Sequence, residues 1–156
     1  MKEQLLETAS GLRQASDSAA QEFSEKHGQL AEMGNQMMAN RADIDKLVGK
    51  GNQQMAEDNN RNLARFMASL FSDFNPDVLV ETVLWVFRAY RAHGFQTTYW
   101  AANLNIWVDI IRKELSEESY DVIYPYYNWL IVNIPIFVKL SDETLSEFSE
   151  DSIPKH

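Results

Sequence analysis

Asn75-Pro76-Asp77-Val78-Leu79-Val80-Glu81-Thr82-Val83-Leu84-Trp85-Val86-Phe87-Arg88-Ala89-Tyr90-Arg91-Ala92-His93-Gly94 reads as one complete helix with both ends marked. Asn75 is a capping type: its side-chain oxygen accepts from the first free N–H groups. Pro76 suits the first helical position, where no donor is needed. Asp77 puts negative charge where the helix dipole is positive. Val80, Val83, Leu84, Phe87 and Tyr90 repeat at helical spacing. Arg88, Arg91 and His93 bring cationic groups to the end, and Gly94 takes the left-handed conformation that closes it.

Towards the C-terminus the same grammar continues. A second helix starts at Thr97 or Thr98 and runs to Leu115, with Trp100, Leu104, Trp107, Val108 and Ile111 on its apolar positions. Ser116 caps the next, with Glu117 and Glu118 in its first turn. That helix reaches about Leu140 and contains Pro125 and Pro135. Each removes a backbone donor and crowds the preceding turn, so kinks or breaks are expected there. A kink wraps a helix round a core or opens space for a ligand. From Ser141 an acidic tail follows, with Leu145 and Phe148 its only apolar pattern.

Towards the N-terminus, Met55, Leu63, Phe66, Met67, Leu70 and Phe71 give an apolar face to a helix from about Asn52 to Ser72. Gly49-Lys50-Gly51 separates it from residues 1–50. Those are polar and follow a 4–3 repeat: Leu5, Ala9, Leu12, Ser16, Ala19, Phe23, Leu30, Met33, Met37, Ile44 and Leu47. Such a seam is a coiled-coil signature. Two readings fit it: an amphipathic helix, broken near Gly28, that packs on its own domain, or a long arm that pairs with a second copy. The expected organisation is a helical arm over 1–50, an aromatic-rich helical bundle over 51–140 and an acidic tail over 141–156. The fold class is all-α.

Across 156 residues, apolar residues make up 45% and charged residues 24%, enough for a core in one ordinary domain. The net charge of -9 opposes binding to nucleic-acid phosphates. With no cysteine, disulfides, thiolate catalysis and cysteine metal sites are excluded. A disulfide-free chain fits the cytoplasm. Met1-Lys2-Glu3-Gln4 opens a polar helix, not an apolar signal core. The most apolar run, Trp129 to Val138, is about half the length of a membrane span.

The segment Tyr90-Arg91-Ala92-His93-Gly94-Phe95-Gln96-Thr97-Thr98-Tyr99-Trp100, the long helix after it, and Leu115-Ser116-Glu117-Glu118 before another long helix resemble the last three helices of a globin. The resemblance covers residues 76–140 and rests on helix lengths and caps. It implies a globin-like bundle. Tyr90 stands where haem globins carry the iron-binding histidine, and His93 directly precedes the turn glycine. The chain is therefore closer to the non-haem, globin-like sensor domains of bacterial stress-signalling proteins, with haem a lesser alternative.

Candidate binding residues come from the aromatic cluster and its polar neighbours: Tyr90, His93, Trp100, Trp107, Trp129 and Arg88. Dense rings at helical spacing make a core, an interface or a pocket for a flat apolar ligand. Arg88 and Arg91 lie three apart and either clamp a carboxylate or pair with Glu81 or Asp109. His93 either offsets the helix dipole or ligates. No Glu-x-x-His, His-Glu-x-x-His, Walker or Gly-x-Gly-x-x-Gly pattern occurs, and no catalytic or metal site is assigned. The expected role is a non-enzymatic regulatory or sensory domain that binds a small apolar ligand or a protein partner, dimerises through residues 1–50, and has an apolar cavity near Tyr90, Trp100, Trp107 and Trp129. The alternative is an adaptor with a solid core.

Overall fold

A computed structural model describes residues 1–150, with side chains through residue 143. Over those residues the chain forms eight helices and no strand: α1 (Lys2–Ala9), α2 (Asp17–Ala39), α3 (Ile44–Val48), α4 (Gln53–Ser72), α5 (Pro76–Ala92), α6 (Thr98–Glu114), α7 (Glu117–Val132) and α8 (Ile134–Glu150). The protein is an all-α helical bundle. The side chains of Leu145 and Phe148, and His156 at the end of the acidic tail, lie outside the described residues.

The marked helix ends are where the sequence puts them. Asn75 Oδ1 accepts from the N–H groups of Asp77 (3.0 Å) and Val78 (3.3 Å). Ser116 Oγ accepts from Ser119 N–H at 3.1 Å. Gly94 closes α5 at φ +98°, a backbone state that side chains with a Cβ avoid. The expected 116–140 helix is two: α7 keeps Pro125 inside it, and the chain breaks at Asn133 so that Pro135 falls in the first turn of α8, where a missing donor costs little.

The N-terminal arm takes a form different from one long or Gly28-broken helix. The break is the turn from Ser10 to Ser16, and Ser16 caps α2 by accepting from Ala19 N–H at 3.3 Å. Gly28 lies inside α2, where an added Cβ would meet nothing, so solvent tolerates it without a break. Most of the apolar seam is spent within the chain: Leu5, Ala9, Ala19, Phe23, Leu30, Ile44 and Leu47 are buried, Leu12 and Met33 are half-buried, and Met37 is exposed. Helix α2 packs on α4, α6 and α7, and α1 packs on α5. The seam's short side chains, which weaken a two-stranded coiled coil, let α2 lie close to those neighbours.

Three ring groups fill the interior. Phe23, Phe71, Tyr126 and Phe74 meet edge to face at 4.9, 5.0 and 5.3 Å and join α2, α4 and α7. Trp107 stacks on Tyr127 at 6.0 Å between α6 and α7. Trp100, Phe87, Phe137 and Trp129 follow one another at 4.3, 5.1 and 5.7 Å across α6, α5, α8 and α7. Burying such rings is the main stabilising contribution, with about 0.5–1.5 kcal/mol per pair beyond the area term.

One carboxylate fastens α2 to the start of α7. Glu22 accepts from Lys26 Nζ (2.7 Å), Ser116 Oγ (2.8 Å) and Ser116 N–H (3.0 Å). Lys26 also donates to the Glu114 carbonyl at 2.7 Å. Burial pushes the Glu22 carboxyl up, but hydrogen bonds from Lys26, Ser119 and Ser116 outweigh this and hold it at about 2. A folded value below the ordinary 4.5 means stabilisation that is present above 4.5 and lost as pH falls towards 2. Glu22→Gln is expected to cost about 1–2 kcal/mol at pH 7, after discounting for partial exposure. In urea unfolding the gap between Glu22→Gln and the parent should narrow at pH 3; a gap of equal size at both pH values would exclude this account.

Candidate functional site

The six residues singled out in the sequence fall into different places. Tyr90 is half-buried and meets Phe95 at 5.0 Å and Trp100 at 6.1 Å, both edge to face. Burial, with a smaller effect of Asp58, raises its phenol above the ordinary value. Trp107 packs separately on Tyr127, while Trp129 stands at the far end of the ring row that Trp100 begins. The indole of Trp129 donates to Thr8 Oγ1 at 2.9 Å, which ties α7 to α1. Arg88 has a buried Nε–H with no acceptor among the described residues. Arg91 is the residue that pairs, donating to Val138 O (3.1 Å) and Ser141 Oγ (2.8 Å) and forming an ion pair with Asp142. Glu81 instead pairs with Lys2, and Asp109 with Arg112 at 3.9 Å.

His93 is exposed at the α5–α6 corner. Its Nδ1 lies 2.8 Å from the Ala89 carbonyl. Its own carbonyl accepts from Asn52 Nδ2 at 2.8 Å, and Gln96 N–H donates to Leu47 O at 2.8 Å, so the corner is docked on the end of α3. These residues do not fit a haem. The Tyr90 ring is packed on Phe95 and Trp100, the His93 ring folds back on its own helix, and the space beside Trp100, Phe87 and Leu104 is about 20 Å³, room for one water. Among the described residues no group of three or more acidic or histidine side chains is placed to share a metal ion. No helix among them is long and apolar enough to cross a membrane.

Between α2, α4 and α6 lies a buried amide network. Asn60 Oδ1 accepts from Asn103 Nδ2 (2.8 Å) and Trp107 Nε1 (3.0 Å), and Asn60 Nδ2 donates to Asn35 Oδ1 (2.9 Å). Asn35 Nδ2 reaches the Glu57 carbonyl at 3.3 Å, and Asn59 Nδ2 donates to the Tyr99 hydroxyl at 3.1 Å. All four asparagines are buried. In a medium this dry each bond strengthens, and each group left alone is costly. This network orders the three helices relative to one another, and the pocket beside Asn35 and Asn60 is only about 10 Å³.

An open cleft of about 500 Å³ lies between the Ser10–Ser16 turn and α7, lined by Gly11, Leu12, Arg13, Gln14, Ser16, Asp121, Val122, Pro125 and Tyr126. Its turn wall is pinned from three sides. The Tyr126 hydroxyl donates to the Arg13 carbonyl. Gln14 Nε2 donates to Phe71 O at 2.6 Å, while Gln14 Oε1 accepts from Phe74 N–H at 2.8 Å. A turn so held presents a formed wall rather than a flexible flap. Burial raises the Tyr126 phenol to about 12, which keeps it a neutral donor over the ordinary pH range.

No protein-family model, curated protein or solved structure matches the chain.

The cleft therefore stands on its own geometry. Its α7 wall comes from Pro125. The ring has no N–H to give the Asp121 carbonyl one turn earlier, and both residues line the cleft. The sequence left two outcomes for a proline in this helix, wrapping round a core or opening space, and gave no position for such space. Leu12, Arg13, Gln14 and Tyr126 were missed as lining residues. Gln14 has a bonding pattern set by residues about sixty positions away, and nothing local signals it.

Proposed function

We propose that the protein is a non-enzymatic regulatory module that works by binding a small, largely apolar ligand in the cleft between the Ser10–Ser16 turn and α7. The observation that carries this reading is the cleft itself: its volume lies in the range of small-molecule sites, and its walls combine Leu12, Val122, Pro125 and Tyr126 with a few polar groups. The closed ring groups argue for the cleft over the aromatic centre as the ligand's place, since a packed core of this density has no room for a second molecule. In a globin-like sensor reading, the ligand would act by biasing how α1 sits against α5 and α7.

Val122→Glu puts a charge on the apolar wall at a position that is only partly buried. Nile red, a neutral apolar dye, should brighten with the parent protein and lose most of that gain with Val122→Glu, at unchanged helicity. Equal brightening with both proteins would remove the cleft as the binding site. Native mass spectrometry of the purified protein reads any retained ligand and the oligomeric state together.

A second reading, an adaptor for a protein partner, draws on Val78 and Trp85, 45% and 50% exposed and seven residues apart on α5. Val78→Asp would weaken that function and leave dye binding in the cleft unaltered.

A further inference from the structure

The polar groups of the cleft divide into those already engaged and those available. Gln14 uses both ends of its amide on Phe71 and Phe74. The Tyr126 proton is given to Arg13 O, and Ser16 Oγ caps α2. What remains on the turn wall is the exposed Arg13 guanidinium, and on the α7 wall the exposed Asp121 carboxylate, neither with an ion-pair or side-chain hydrogen-bond partner among the described residues. The cleft thus has a cation on its turn wall, a carboxylate on its α7 wall, and Leu12, Val122 and Pro125 as apolar lining.

The geometry points to a zwitterionic small molecule with an apolar body as the ligand of this cleft. Its ammonium or other N–H donor faces Asp121, its carboxylate faces Arg13, and its ring or branched chain lies on Leu12, Val122 and Pro125. An α-amino acid with a large apolar side chain is the simplest molecule of that class. The inference rests on the cleft being a binding site and adds which chemistry it selects. The Tyr126–Arg13 bond ties the α7 wall to the turn wall, and Gln14 holds the turn on Phe71 and Phe74, so binding needs no rearrangement of the turn.

The test is an amide-resolved NMR titration of the full chain with four probes: phenylalanine, phenylethylamine, 3-phenylpropionate and ethylbenzene. Phenylalanine should bind most tightly, with shifts centred on residues 11–16 and 121–126. Asp121→Asn should weaken phenylalanine and phenylethylamine roughly tenfold and leave 3-phenylpropionate unchanged. Arg13→Gln should weaken phenylalanine and 3-phenylpropionate by a similar factor and leave phenylethylamine unchanged. Both side chains are exposed and make no bond within the fold, so the variants keep the parent structure. If ethylbenzene shifts the cleft residues as strongly as phenylalanine, or if neither variant separates the amine from the acid, the zwitterion inference fails while the cleft reading stands. If no probe shifts these residues, both fail.

Discussion

Asn60→Leu is expected to destabilise the protein by about 3–6 kcal/mol, although leucine is close to asparagine in size and more apolar. The substitution strands three groups at once. Asn35 Oδ1 loses its donor, and Asn103 Nδ2 and Trp107 Nε1 lose their acceptor, all in buried surroundings. Each buried group without a partner costs about 1–3 kcal/mol. The Asn103 side-chain carbonyl already has no partner among the described residues, so the substitution adds three stranded groups to a site that holds one. Urea unfolding followed by circular dichroism measures the loss. Replacing Asn35, Asn60 and Asn103 together by apolar residues should cost less than the single change, because donors and acceptors leave in pairs. A single Asn60→Leu loss below about 1 kcal/mol would mean that water reaches the network.

The second large effect is Phe71→Ala, with an expected cost of about 3–5 kcal/mol. Phe71 is fully buried at the centre of the first ring group, edge to face with Phe23 of α2 and Tyr126 of α7. Removing it leaves a void between three helices whose backbones are fixed elsewhere, by Glu22 and by Gln14, and cannot collapse into the space. The result also bears on organisation. If α1 and α2 were an appendage, Phe71→Ala would lower the stability of α4 to α8 and leave amide exchange in α2 unaltered. With one shared core, protection in α2 should fall together with that in α4 and α7.

How far the sequence could be read follows from where each signal resides. Helix ends were legible because their chemistry is local: Asn75 with Pro76, Ser116 with its acidic first turn, and Gly94 each act within four residues. The all-α class follows from the 3.6-residue spacing of the apolar positions. The break between α1 and α2 was hidden because Leu5, Ala9, Leu12 and Ser16 stay in register across it, and a pattern of spacing cannot show that the chain has turned a corner. The same blindness applies to the seam's destination: Phe23 and Leu30 are apolar whether they face a second copy or α4 of the same chain. Asn103 was visible among the rings, but its role depends on Asn60, forty-three positions earlier. The cleft was half legible. Pro125 announces an interrupted helix, while the turn that faces it comes from residues more than a hundred positions away.

The bond between Thr8 and Trp129 spans 121 residues, and it has a consequence for how the chain is made. Helix α1 is synthesised well before its partners α5 and α7. At about 5–20 residues per second, Leu5 and Ala9 wait for about 6–24 seconds before Trp129 exists. Throughout that interval the apolar side chains of a mostly polar helix, Leu5 and Ala9, are without their final partners. Docking of α1 then follows the synthesis of α7, and the turn wall of the cleft takes its place only at that point.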